Sequence, residues 1–145
     1  METGPIEREI YIEASPEVVF DVVSDPKHVS RWWPDEARYE LEPGAPGEIV
    51  FGDPQADGKV VAFTVVEARP PRTFSFRWTQ PAGHPATAGN SLLVTFDLVP
   101  SGQGTLLTFS ERGFREEEVR ADHVNGWDYF LPRLAPYLAT LDVRP

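Results

Sequence analysis

The sequence predicts an α+β fold in which a curved antiparallel sheet is closed by one long C-terminal helix. Within residues 116–141 the apolar side chains recur at spacings of three, four or seven, which predicts a helix with one apolar stripe. From residue 47 to residue 111 apolar and polar residues alternate in several segments, with no helical crossover between them, which favours antiparallel pairing. The predicted order is a strand, two short helices, about six strands and the long helix. The stripe consists of Val119, Trp127, Phe130, Leu131, Leu134, Leu138 and Leu141.

The N-terminal part begins with a strand over residues 6–13, whose isoleucines share one face. Ser15 is a helix-capping residue, and Pro16 suits the first helical position, so a short helix follows. The pair Asp25-Pro26 repeats this start signal and predicts a second short helix through Trp32.

The middle of the chain is predicted to be strands. The turn at 100–104 has a length typical of hairpins. Residues 80–90 are rich in proline and glycine and predict a long surface loop. The predicted strands cover residues 47–51, 59–68, 72–78, 91–99 and 105–111.

Two prolines interrupt the predicted final helix. Pro132 and Pro136 each remove an amide donor inside it, so the helix either bends to follow the sheet or splits near Leu131. The sequence leaves both alternatives open.

Composition limits the function. The chain has 145 residues, 41% of them hydrophobic, which predicts one domain over residues 1–145. It has no long apolar run, no basic and apolar leader and no cysteine, so we expect a cytoplasmic protein that does not span a membrane. The net charge of −10 argues against nucleic acid and anionic membranes as partners.

Metal and cofactor sites are not expected. The histidines His28, His84 and His123 are far apart and match no zinc-binding spacing. No phosphate-binding loop, dinucleotide fingerprint or nucleophile elbow occurs. His123 lies on the stripe of the final helix, where a hydrogen-bonded or half-exposed histidine is a more frequent finding than a ligand.

Several short motifs occur in order along the chain: Ala14–Phe20, Asp25-Pro26, Trp32-Trp33, Glu67–Arg72 followed by Trp78, Gly113-Phe114, and Gly126-Trp127 ahead of Leu134 and Tyr137-Leu138. Together they resemble the domain shared with activators of the Hsp90 ATPase, over about residues 6–141. The wider SRPBCC superfamily includes START lipid-transfer domains, Bet v 1-like proteins and polyketide cyclases. The resemblance implies a helix-grip fold, with a cavity between the curved sheet and the C-terminal helix.

Aromatic residues make up 12% of the chain and are the candidates for that cavity. A dry void of about 300 Å³ would cost roughly 7 kcal/mol, which is large beside a domain stability of about 5–15 kcal/mol. The interior is therefore filled by its aromatic rings, wetted by a few polar groups or occupied by a ligand, and the abundance of large rings favours a small or narrow pocket. The candidate ligand-binding residues are Phe20, Trp33, Phe51, Phe63, Phe76, Trp78, Phe96, Phe109, Glu111, Trp127 and Phe130.

No catalytic set is evident, but two polar residues are candidates for a role. Glu111 has the parity of inward-facing Leu107, so it either points into the interior or sits in water at the strand end. If it is buried, Arg8, on the apolar parity of the first strand, is the expected partner. Tyr39 is a weaker candidate. Many relatives in the resembling family carry histidine at the position of Glu111, so no role is transferred.

Three functions remain as hypotheses. The first is a protein that binds a small apolar or aromatic molecule. The second is an enzyme of the polyketide cyclase or hydratase type. The third is chaperone interaction, which is not expected because full activators carry an additional N-terminal domain and this chain begins at its first strand. A homodimer could form through a sheet edge or through a surface at Trp32 and Trp33.

Overall fold

The computed structural model describes residues 3–53, 58–81, 84, 86–87 and 89–141, and it confirms the predicted α+β helix-grip fold. Seven antiparallel strands form one open sheet in the order β1-β7-β6-β5-β4-β3-β2. A strand, two short helices, six strands and a C-terminal helical segment follow one another as predicted. The strands are Ile6–Ile12 (β1), Glu36–Arg38 (β2), Pro46–Phe51 (β3), Lys59–Arg69 (β4), Thr73–Pro81 (β5), Leu92–Ser101 (β6) and Gly104–Arg112 (β7).

The two short helices begin at the predicted start signals. Helix α1 covers Pro16–Ser24, and the hydroxyl of Ser15 accepts a hydrogen bond from its first turn. Helix α2 covers Pro26–Trp32, and the carboxylate of Asp25 caps it in the same way, with a distance of 2.9 Å to the backbone nitrogen of residue 27. Each cap satisfies an amide that the helix leaves unpaired.

The sheet is long and bends around the interior. The pairing of β4 with β5 shifts register between Val61 and Phe63 and again between Val65 and Glu67, and such irregularities bend a strand. The inward parity predicted for the long strands is confirmed. The buried side chains of the concave face include Phe74, Phe76, Trp78, Leu92, Val94, Phe96, Leu98, Leu107 and Phe109.

The C-terminal segment is split. Helix α3 covers Glu117–Phe130, a 3₁₀ turn covers Leu131–Arg133, and helix α4 covers Leu134–Ala139. Pro132 sits in the first turn of the 3₁₀ segment, where its missing amide is tolerated. Of the two alternatives left by the sequence, the structure therefore has the break near Leu131.

The apolar stripe is shorter than predicted. Val119 is 40% exposed, so its assignment to the buried stripe is wrong. The first turns of α3 carry mainly charged side chains, and packing against the sheet begins only toward its middle. The buried stripe residues are Trp127, Leu131, Leu134 and Leu138.

The predicted surface at Trp32 and Trp33 does not exist. The two side chains are only 1% and 7% exposed, and the Nε1 of Trp32 donates to the carbonyl of Val22 at 2.9 Å. These rings therefore cannot mediate a dimer, and the sheet edges β1 and β2 are the surfaces that remain for that prediction.

The predicted loop at 80–90 is corrected in part. Gln80 and Pro81 belong to β5, so the strand is longer than the alternation indicated. Residues 82–83, 85 and 88 of the predicted loop lie outside the described residues. Within the described ranges, no helix has the length and hydrophobicity needed to cross a bilayer.

An aromatic cleft over a buried glutamate

A carboxyl group is fully buried at the centre of the interior. Glu111 lies near the end of β7 with 0% exposure. The indole nitrogens of Trp78 and Trp127 donate to its two oxygens at 2.7 and 2.8 Å. The Nδ1 of His123 lies 2.8 Å from the oxygen that Trp127 uses. We call these four residues the Glu111 network.

Strand parity and helix periodicity bring this network together. Glu111 shares its face with Leu107, so the alternation of β7 turns it inward. Trp78 lies on β5, two strands away in the same sheet. His123 and Trp127 are one turn apart on α3 and therefore present their side chains on the same helix face. The sheet supplies the acceptor and one donor, and the helix supplies the other two groups.

Within the described residues, the hydrogen-bond partners of the buried carboxyl group are all nitrogen atoms. A carboxyl group taken out of water without partners costs several kcal/mol, and an indole N–H can only donate. Two such donors and one imidazole satisfy both oxygens of Glu111. The interaction with His123 is the one ion pair of Glu111 within the described residues, and it is an ion pair only when the imidazole is protonated.

Above the network lies an aromatic cleft of about 110 Å³. Trp33, at the end of α2, forms its floor, with ring centroids 4.9 Å from those of both Trp78 and Trp127. Asp122 is exposed and marks the side on which the cleft meets solvent. The lining residues are Trp33, Phe51, Trp78, Asp122, His123, Gly126, Trp127 and Phe130.

The volume of the cleft limits what can enter. An apolar cavity of about 150 Å³ holds one benzene molecule, and this cleft is smaller. At most one ring can therefore enter between the aromatic walls, and the remainder of a larger molecule would extend outward past Asp122.

The ligand-binding residues suggested by the sequence fall into three groups. Glu111 lies behind the cleft wall. Five of the rings line the cleft: Trp33, Phe51, Trp78, Trp127 and Phe130. The other five pack against neighbouring side chains in the core and do not reach the cleft: Phe20, Phe63, Phe76, Phe96 and Phe109.

The expected pairing of Arg8 with Glu111 is wrong. The Nε of Arg8 donates to the carboxylate of Asp128 at 2.9 Å, and both side chains are well exposed. This hydrogen bond holds the pKa of the Asp128 carboxyl below its usual range. Arg8 therefore joins β1 to α3 at the surface, where such pairs stabilise a protein by about 1 kcal/mol or less.

Tyr39 lies outside the cleft. Its side chain is 8% exposed, its ring stacks on Phe63 with centroids 4.3 Å apart, and its hydroxyl donates to the carbonyl of Ser24 at 2.5 Å. Burial, reinforced by the negative charge of Asp25, raises the pKa of the Tyr39 phenol above its ordinary value. Tyr39 directly follows β2, and its hydrogen bond connects this part of the chain to the end of α1. Its role is therefore structural.

We expect Tyr39→Phe to reduce the slope with which the free energy of unfolding falls as pH rises in the alkaline range. The raised pKa means that the unfolded chain ionises first, so this group destabilises the fold only as pH rises above about 10, by up to about 1.4 kcal/mol per pH unit. Urea unfolding of wild type and variant between pH 9 and 11 measures the difference. Tyr129→Phe, at a position 65% exposed, is the matched control and should keep the wild-type slope; equal slopes for Tyr39→Phe and wild type would contradict the assignment.

Sequence reasoning does not identify three residues of the cleft. The sequence places His123 on the helix stripe without a partner, and it indicates no site role for Asp122 or Gly126. The available signal was the spacing of residues 123, 126, 127 and 130, which puts one histidine and one glycine on an otherwise aromatic helix face. A Cβ built on Gly126 meets no atom within 4 Å, so this position leaves the cleft wall open.

Another groove is larger but lacks these features. It has a volume of about 500 Å³ and contains none of the aromatic candidates from the sequence. Its polar lining includes Arg77, Arg112 and Arg115. Among the described residues, no group of three histidine, aspartate or glutamate side chains could hold a metal ion.

A family comparison covers most of the chain. The sequence profile described as Activator of Hsp90 ATPase homolog 1-like protein matches residues 13–139. A search of curated protein sequences finds no match.

Solved structures share the fold. CalU16 from Micromonospora echinospora is 22% identical with a TM-score of 0.70, over 92% of this chain and 75% of that one. The Aha1 dimer from Colwellia psychrerythraea is 21% identical with a TM-score of 0.76, over 94% and 96%. DynU16, a protein in the dynemicin biosynthetic locus, is 25% identical with a TM-score of 0.78; the alignment covers 95% of this chain but only 48% of DynU16.

Proposed function

The chain belongs to the Activator of Hsp90 ATPase homolog 1-like family, and from this premise we propose that it binds a small aromatic molecule in the cleft above Glu111. The observation that carries the proposal is the combination of an open aromatic cleft with a buried polar network directly behind its wall. Ligand sites are usually apolar concavities with a few fixed polar groups. The place of DynU16 in a biosynthetic locus supports a role with small molecules.

The packing of the walls supports binding rather than simple core filling. Rings that only fill a core leave no space larger than a water molecule, whereas here about 110 Å³ stays open among five rings. The walls are also fixed before a ligand arrives, because the indole nitrogens of Trp78 and Trp127 are both held by Glu111. A site whose side chains are already ordered loses less entropy on binding.

Gly126 offers a direct test. Gly126→Leu adds a side chain that starts in open space at the cleft wall, and leucine is favoured over glycine inside a helix by about 0.5–1 kcal/mol. We expect the variant to be at least as stable as wild type but to lose the binding of toluene. Indole N–H chemical shifts in two-dimensional NMR spectra, followed during a toluene titration, measure this.

The control is Asn125→Leu, which adds the same side chain one position earlier, at an exposed site outside the cleft lining. It should bind toluene as wild type does. The absence of saturable shifts with wild-type protein at millimolar toluene would overturn the proposed function.

A second candidate function is proton-transfer catalysis, the chemistry of the cyclase or hydratase alternative. The observation that favours it is the contact between the Glu111 carboxyl group and the Nδ1 of His123, because a carboxylate in this position stabilises the imidazolium formed when Nε2 accepts a proton. A C–H next to a carbonyl group would give its proton to Nε2 and leave an enolate, whose carbon would add to a second carbonyl group of the same molecule and close the ring. The alkoxide formed in that step would take the proton back from Nε2, which restores the neutral imidazole. Chemical conversion of a bound ligand, observed in the same NMR experiment, separates catalysis from binding alone.

A further inference from the structure

We propose that the cleft selects aromatic molecules that carry a hydroxyl group, and that this hydroxyl donates a hydrogen bond to the Nε2 of His123. The inference rests on the proposed function, since it assumes that the cleft holds an aromatic ring. It adds the chemical class of the ligand, which the aromatic walls alone leave open.

The first step concerns which atom of His123 is available. Nδ1 is engaged with Glu111, and Nε2 has no hydrogen-bond partner in the part of the chain that the structure describes. Within that same part, the Oγ1 of Thr3 is the one fully buried side-chain nitrogen or oxygen that lacks a partner. The Nε2 of His123 is therefore reached by solvent, and it belongs to a side chain that lines the cleft.

The second step concerns the direction of the hydrogen bond. Both oxygens of Glu111 accept from indole N–H groups, so the carboxyl group acts as an acceptor in this network and the Nδ1 of His123 donates to it. In the neutral imidazole one nitrogen donates and the other accepts. Nε2 is then the acceptor, and the ligand must supply the donor.

The third step concerns the rest of the cleft. The indole N–H groups of Trp78 and Trp127 are used by Glu111 and cannot serve a ligand. Trp33, which also lines the cleft, has an indole N–H without a partner in the described ranges, and this group can only donate. A hydroxyl group supplies the donor that the Nε2 of His123 requires, and its oxygen can also accept.

The expected selectivity is best seen by comparing this cleft with a purely apolar cleft of the same size. Burying a hydroxyl group without a partner weakens binding by roughly 5- to 150-fold, so an apolar cleft of this size would prefer toluene to phenol. An acceptor at Nε2 removes that penalty. We expect wild-type protein to bind phenol no more weakly than toluene.

The test compares phenol, anisole and toluene in NMR titrations of the wild-type protein. Anisole keeps the ring and the oxygen but has no O–H donor, so it should bind at least about threefold more weakly than phenol. Tighter binding of toluene than of phenol, or equal binding of anisole and phenol, would overturn the inference while leaving the proposed function intact. Failure of all three to bind would instead remove the proposed function itself.

A substitution of His123 tests whether this residue causes the selectivity for phenol. His123→Phe keeps a ring at the cleft wall and removes both nitrogens, so phenol should lose at least about tenfold in affinity relative to toluene. Dividing the phenol affinity by the toluene affinity corrects for any general change in the cleft. An unchanged ratio in this folded variant would show that another group, and not His123, accepts the hydroxyl. If the variant does not fold, the comparison of three ligands on wild-type protein still decides the inference.

Discussion

Glu111→Leu is expected to lower the free energy of unfolding by about 3–6 kcal/mol, a large effect for an exchange of similar size. The substitution leaves two indole N–H groups and one imidazole nitrogen without their acceptor in a fully buried position. Each buried polar group left unpaired costs about 1–3 kcal/mol. Urea denaturation followed by tryptophan fluorescence measures the change. The free energy of unfolding of an ordinary domain is about 5–15 kcal/mol, so this loss removes a large part of the total stability.

Glu111→Gln separates charge from shape in the same position. Its amide oxygen can still accept, but its amide nitrogen faces groups that donate, so at least one donor is left unpaired. We expect a loss of about 1–3 kcal/mol, intermediate between wild type and Glu111→Leu. The matched control is Arg8→Gln, which breaks the exposed pair with Asp128 and should cost about 1 kcal/mol or less. A Glu111→Leu protein as stable as wild type would show that the network does not stabilise the fold.

The position of Glu111 suggests why a polar group occupies the core. An apolar residue there would leave the indole nitrogens of Trp78 and Trp127 without an acceptor. The carboxylate holds both rings by their nitrogens, and it also turns His123 so that its other nitrogen faces outward. The hydrogen bonds that a buried carboxyl group requires therefore also fix the positions of the side chains that form the cleft wall.

Parity along single strands was the most reliable guide to this site. The alternation that predicts Phe76 and Phe109 inward gives Glu111 the same parity, with a strand end in water as the alternative, and all three side chains are buried. The partner of Glu111 could not be found in the same way. The parity of Arg8 in the first strand predicts it as the partner, but two of the three hydrogen bonds of Glu111 involve α3, whose rotation about its axis depends on packing with the whole sheet.

Short elements and element ends were harder to predict. Strand β2, Glu36–Arg38, is too short to show alternation and exists through its pairing with β3. The helix at the C-terminus was predicted as one stripe, but Val119 is exposed because only the later turns reach the sheet. Helical spacing shows which residues share a face, whereas the distance between that face and its partner is a property of the complete fold.

The second large effect is expected for Trp33→Ala, which should lower the free energy of unfolding by about 3–5 kcal/mol. The Trp33 ring lies among five other aromatic rings, with centroids 4.9–6.2 Å away. Removing it joins a large new void to the existing cleft of about 110 Å³. Unlike a closed cavity, this space is connected to solvent, so a molecule of the deleted shape can enter it.

Added indole should therefore restore part of the stability of Trp33→Ala. A ligand at ten times its dissociation constant stabilises the folded state by about 1.4 kcal/mol, which thermal unfolding with and without millimolar indole measures. The control is Leu98→Ala, another core truncation at a residue 1% exposed, which should lose about 2–5 kcal/mol and gain nothing from indole, because its void is smaller than that molecule. Equal rescue of both variants would mean that indole acts on the protein in general. Rescue of Trp33→Ala alone would place an aromatic guest in the space between the sheet and α3, as the proposed function requires.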